Sequence, residues 1–63
     1  MPRTPEENER IRQLAKENIR MAAMKLFIRQ GYHATSISDV AQQAGVSKGL
    51  LYNYYEGKED LLA

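Results

Sequence analysis

The chain has 63 residues, 43% hydrophobic and 27% charged, with a formal net charge of +1. At about 60 residues a domain buries only roughly 60% of the surface its unfolded chain exposes, so this is one small domain near the lower limit for folding alone. There is no cysteine and a single histidine, His33, which excludes disulfide frameworks, cysteine–histidine zinc fingers and imidazole-built metal centres. No metal or cofactor is expected. No apolar run approaches the roughly 18 residues that a membrane span needs, and the first ten residues, MPRTPEENER, are too polar for a secretory signal. A cytoplasmic location is the expectation.

The near-zero net charge conceals an asymmetry. Between Arg10 and Arg29 stand six basic residues, Arg10, Arg12, Lys16, Arg20, Lys25 and Arg29, against one acid, Glu17. Such a segment suits phosphate or an acidic surface, and it equally suits an ordinary solvated helix face.

Pro2 and Pro5 mark residues 1–8 as a flexible arm, and Glu6, Glu7 and Glu9 suit the positive end of a helix that follows. From there to Gln30 no glycine or proline interrupts. Ile11, Leu14, Ala15, Ile19, Ala22, Ala23, Leu26 and Phe27 recur at the three-and-four spacing of an amphipathic helix. Gly31 ends it, at the position where a left-handed conformation costs glycine least.

Ser36-Ile37-Ser38-Asp39 reads as a capping box: the serine hydroxyl accepts from the N–H three residues on, and the acid reaches back. Aspartate is a shorter arm than the usual glutamate for that return bond. Ile37, Val40, Ala41 and Ala44 form one apolar stripe before Gly45 stops the helix. Ser47 then caps a third helix, with Val46 and Leu51 spaced as a hydrophobic staple. Two short helices joined by a glycine-containing turn are the helix-turn-helix signature.

The second of these helices runs from about Lys48 to Tyr54. With Leu51 facing the core and about 100° per residue, Tyr55 packs inward beside it, while Gly49 and Asn53 point away. Leu50 and Tyr52 lie on the flanks. The outward face is small, polar and aromatic, with almost no charge. After Gly57, Lys58-Glu59-Asp60-Leu61-Leu62 opens a fourth helix that stops within two turns, too short to be stable alone. Leu61 and Leu62 have little left to pack against, so the natural chain is expected to continue beyond this N-terminal piece.

Gly31-Tyr32, Thr35-Ser36-Ile37, Val40-Ala41, Ala44-Gly45-Val46-Ser47, Gly49, Leu51-Tyr52, Tyr54-Tyr55, Lys58-Glu59 and Leu61-Leu62 together resemble the N-terminal DNA-binding domain of the tetracycline-repressor (TetR) family. Ile19, Ala22, Ala23, Leu26 and Phe27 resemble that family's first-helix core. The likeness covers about residues 19 to 62. It departs at Tyr55, where phenylalanine is usual, at Gly57, where a polar cap is usual, and at Leu50, where a small or hydroxylated residue is common. The resemblance implies an all-α, three-helix, homeodomain-like bundle over residues 9–56, followed at 57–63 by the start of a fourth helix. It also implies a transcriptional regulator, most often a repressor. Such a regulator acts as a homodimer through a larger C-terminal domain that binds a small-molecule effector.

The resemblance assigns roles as well. The start of the second helix contacts phosphate through Thr35, Ser36 and Ser38, although Ser36 has a sufficient local reason in its cap. Ser47, Lys48, Gly49, Leu50, Tyr52 and Asn53 form the reading face. There Lys48 suits guanine or phosphate, Asn53 suits adenine, and Leu50 suits a thymine methyl. Gly49 lets the backbone approach closely. Tyr52 and Tyr54 match aromatic phosphate contacts, and Lys58 matches a phosphate-binding lysine. A cation at a helix N-terminus opposes the dipole, which favours an external anion there. Outside what the family pattern fixes, Arg3, Arg10 and Arg12 are expected to add nonspecific attraction, and His33 is expected to be an ordinary loop residue.

The competing reading is a small helical protein-interaction module docking through the tyrosine-rich face. Lys48, Gly49 and Asn53 break that face into pieces too small for an apolar patch. Catalysis lacks a nucleophile–base pair, paired carboxylates in an apolar pocket, or a phosphate-cradling glycine loop, so no enzyme is expected.

Overall fold

The computed structural model describes residues 5–63, and residues 1–4 of the expected arm lie outside it. Four helices follow one another: α1 (Pro5–Gln30), α2 (Ile37–Ala44), α3 (Lys48–Tyr54) and α4 (Lys58–Leu62). The first begins inside the stretch expected as an arm. Proline at the first helical position lacks only an N–H that would be unsatisfied anyway, and Glu6 and Glu7 then occupy the first turn, where the dipole favours them. What reads locally as a break is therefore a helix start.

At 26 residues and 1.5 Å per residue, α1 is about 39 Å long, and it sets the 42 Å long axis of a molecule only 19 Å by 17 Å across. Its C-terminal half carries the core. Ile19, Ala22, Ala23 and Leu26 are buried, whereas every described residue before Ile19 is exposed except half-buried Ala15. Val40 and Ala41 of α2, Leu51 of α3, Tyr55 and Leu61 complete the cluster. Gly31 ends α1 at φ 95°, with its N–H bonded to the Phe27 carbonyl at 3.0 Å.

The capping box is complete. The Asp39 N–H donates to Ser36 Oγ and the Ser36 N–H donates to Asp39 Oδ2, each at 3.0 Å. Aspartate is thus long enough for the return bond. The backbone hydrogen bond from Ser36 holds the Asp39 carboxyl below its ordinary pKa, because donation to the charged form favours ionisation.

At the far end of α2, Gly45 adopts φ 74° and ψ 30°. The Val46 N–H reaches the Ala41 carbonyl at 2.9 Å and the Gly45 N–H reaches Gln42 at 3.2 Å. This Schellman closure turns the chain within two residues into α3. Asn18 Nδ2 donates to the Ala44 carbonyl at 3.1 Å, tying the corner to α1.

One expectation about the C-terminal residues changes. Leu61 has a great deal to pack against: it is fully buried, while Leu62 stays 52% exposed. The fourth helix folds back on α1, and Arg20 Nη2 donates to the Ala63 carbonyl at 2.8 Å. Gly57 opens α4 without a side-chain cap, and the Glu56 N–H just ahead of it donates to Asp60 Oδ2 at 3.0 Å.

Candidate nucleic-acid interface

Ser47 sets the start of α3: its backbone is extended, and its hydroxyl oxygen accepts from the Leu50 N–H at 3.1 Å. Leu51 and Tyr55, one turn apart, are drawn into the core. That anchoring aims the rest of the helix outward. Ser47, Lys48, Gly49, Leu50, Tyr52 and Asn53 are all exposed, and together they make one continuous surface. Leu50 is 36% and Tyr52 50% exposed, consistent with flank positions.

Tyr55 carries the hydroxyl that distinguishes it from phenylalanine, and that hydroxyl donates to the Lys16 carbonyl at 2.9 Å. Burial pushes its phenol pKa up, against a smaller lowering by the Arg20 charge. The bond fixes the end of α3 to the middle of α1. Tyr54, half-buried, packs at the core edge.

The second cluster is built around the start of α2. Ser36 and Ser38 are exposed. Ser36 Oγ is an acceptor in the cap and keeps its hydroxyl hydrogen for a further partner. Thr35 differs from both. It is 1% exposed, its hydroxyl donates to the Gly31 carbonyl at 2.8 Å, and its N–H donates to Tyr32 at 3.2 Å. The turn from Gly31 folds this side chain inward, so Thr35 is a structural residue of the loop, and its side chain is not presented to a phosphate.

Lys58 is half-buried and is held more firmly than its sequence suggests. Its Nζ donates to the Tyr32 carbonyl at 3.0 Å and lies 4.5 Å from the centre of the Tyr32 ring. Tyr32 in turn meets Phe27 at a tilt and His33 edge-on, with centroids 5.1 Å and 5.3 Å away. One of the three ammonium hydrogens is used on the carbonyl, which leaves two for a ligand. His33 is exposed and serves as an edge-on neighbour of Tyr32.

Gly49 is informative for a steric reason. A Cβ built there would meet only Ser47 Oγ, at 3.9 Å, which is ordinary contact. Its φ lies outside the left-handed region, unlike those of Gly31 and Gly45. Nothing in the fold demands glycine at this position, although it costs up to about 1 kcal/mol relative to alanine in a helix.

Among the described residues no three histidine, cysteine or acidic side chains gather as a metal-binding group. No described helix is long and apolar enough to cross a membrane.

Comparison with known proteins agrees with this geometry. The family model for bacterial regulatory proteins of the tetR family matches residues 19–63. The chain is 47% identical over 47 residues to the HTH-type transcriptional regulator HbdR of Aromatoleum sp. (strain CIB), which is 75% of this chain and 20% of that protein. It is 44% identical over 41 residues to the fatty acid metabolism regulator protein of Bacillus subtilis (strain 168), 65% of this chain and 21% of that one. Among solved structures, the fatty acid degradation regulator FadR from Bacillus halodurans superposes with a TM-score of 0.74 at 31% identity, covering 98% of this chain and 28% of that chain. This chain thus spans about a fifth of the length of the curated relatives it matches. With the family model covering more than half of it, the chain belongs to the tetR family of bacterial regulatory proteins, with α2 and α3 as its helix-turn-helix.

Proposed function

We propose that the domain reads double-stranded operator DNA by laying α3 in the major groove while α2 crosses the backbone, as helix-turn-helix proteins dock. The observation that carries this reading is Gly49, a helical glycine on the exposed face that no neighbouring atom requires. A reason for it lies outside the domain: without a side chain the helix backbone can approach the groove floor. Lys48, Leu50 and Asn53 surround it and supply a cation, an apolar contact and an amide, which suit guanine, a thymine methyl and adenine respectively. Ser47 and Tyr52 flank them. Ser36, Ser38, Tyr54 and Lys58 contact backbone phosphates, which position the helix and carry no sequence information.

In the full-length protein, we assign homodimerisation and a small-molecule effector to a C-terminal domain, and repression at a palindromic operator to the dimer in the cytoplasm. Lys48, Gly49 and Asn53 interrupt the apolar residues of α3, which disfavours a protein-docking face. An amide-shift titration of the 63-residue chain with a mixed-sequence duplex at low salt tests the reading. Shifts at residues 36–38, 47–54 and 58, reversed by added salt, are expected. A folded domain with no shifts there refutes it.

A further inference from the structure

The long first helix outruns the core it packs on, and its exposed N-terminal half borders the C-terminal end of α3. The two elements form a groove lined by Glu9, Arg12, Gln13, Lys16, Asn53 and Tyr54. Its position follows from Tyr55: the hydroxyl bond to the Lys16 carbonyl draws the preceding residues, Asn53 and Tyr54, against the α1 turn that carries Arg12 and Lys16. The groove therefore continues the outward face of α3 onto a second helix.

The wall of the groove is chemically selective. Arg12 and Lys16 are exposed and stand four residues apart, so their charges lie one above the other on a single helix face. Like charges at that spacing destabilise a helix, and an anion between them relieves the repulsion. Gln13 and Asn53 add amide donors and Tyr54 adds a hydroxyl. Glu9 is the one acid of the lining; its Oε1 accepts from Gln13 Nε2 at 3.3 Å, which turns that carboxylate toward a partner on its own helix. Lys16 Nζ lies 5.7 Å from the centre of the Tyr55 ring, which keeps the ammonium beside the groove.

We propose that this groove clamps a backbone phosphate of the same duplex whose bases α3 reads, with Arg12 and Lys16 as the cations and Tyr54 as a hydroxyl donor. The inference rests on the DNA-binding reading above and extends it. Arg12 and Lys16 become positioning residues that fix how α3 is seated in the groove, beyond contributing diffuse positive charge. A phosphodiester oxygen held beside Asn53 sets the distance of that amide from the base edges.

The test is the salt dependence of DNA affinity, measured by fluorescence anisotropy of a labelled mixed-sequence duplex between about 50 and 200 mM salt. Each phosphate contact contributes about 0.9 to the slope of log affinity against log salt. The double variant Arg12→Gln/Lys16→Gln is expected to flatten that slope by about 1. Its disadvantage relative to the wild type should then shrink about fourfold across that fourfold salt range. Lys25→Gln removes a cation from another face of α1 and is expected to leave the slope unchanged. If the wild type binds and the double variant keeps its slope, or loses no more than Lys25→Gln does, the clamp is refuted. A wild type that fails to bind any duplex overturns the underlying reading and the clamp with it. The substituted side chains are exposed, and glutamine keeps the Lys16 carbonyl that receives Tyr55. Arg12→Gln alone, which leaves residue 16 untouched, carries the same comparison if the double variant loses helicity.

Discussion

Replacing Gly49 by alanine adds one methyl group to an exposed position of α3, and its effects on folding and on DNA binding should have opposite signs. Inside the domain the new Cβ meets only Ser47 Oγ, at 3.9 Å, so no neighbour has to move. Alanine is favoured over glycine in a helix by about 0.8–1.0 kcal/mol at interior positions, and somewhat less in the first turn, where Gly49 lies. A gain of about 0.5–1 kcal/mol corresponds, for a domain of this size, to a melting temperature raised by roughly 2–8 °C. On DNA the same methyl stands between the helix backbone and the groove floor. Displacing one base contact costs about 1–3 kcal/mol, roughly a five- to 150-fold loss of affinity. Thermal denaturation by circular dichroism and anisotropy titration on one preparation measure both. A variant that is more stable and binds DNA as well as the wild type refutes the reasoning, because glycine would then have no role on either side.

Two further outcomes follow from residues that the fold uses internally. Thr35→Val keeps the shape but removes the hydroxyl that the buried Thr35 side chain donates to the Gly31 carbonyl; the expected loss is about 1 kcal/mol in a melt, with DNA affinity of the folded variant unchanged. Asp39 has its pKa lowered by the Ser36 backbone bond, so its contribution to stability is fully present above the unfolded carboxylate pKa and is lost as pH falls through the folded value. Asp39→Asn is expected to lower the urea midpoint at neutral pH and to narrow the loss on acidification below about pH 4. An acid limb identical in wild type and variant contradicts that.

What was legible in the sequence was local. The caps at Ser36 and Ser47, the glycine stops at Gly31 and Gly45, and the apolar spacing of Ile19 through Phe27 each act within a turn or two, and each places an element correctly. The misses are of two kinds. Pro5 carries two meanings, a break or a first helical residue, and only the acids that follow distinguish them. Thr35 and Leu61 depend on contacts the pattern does not encode: a loop that turns a hydroxyl inward, and a short helix that returns to α1. The groove of Arg12 and Lys16 was hidden for the same reason, since these cations read as a solvated face until Asn53 and Tyr54 are brought beside them.

The unequal burial along α1 has a consequence for motion. Ahead of Ile19 no described residue of the helix is buried, and the Tyr55 hydroxyl bond at Lys16 is the first point where a side chain from another helix grips its backbone among the bonds described. Amides that precede this grip are therefore expected to exchange with solvent by local fraying, and those between Ile19 and Leu26 by opening of the whole domain. The helix is thus a rigid rod bolted at one end with a yielding tip at the other. A duplex that engages the tip would extend protection toward the N-terminus, turn by turn.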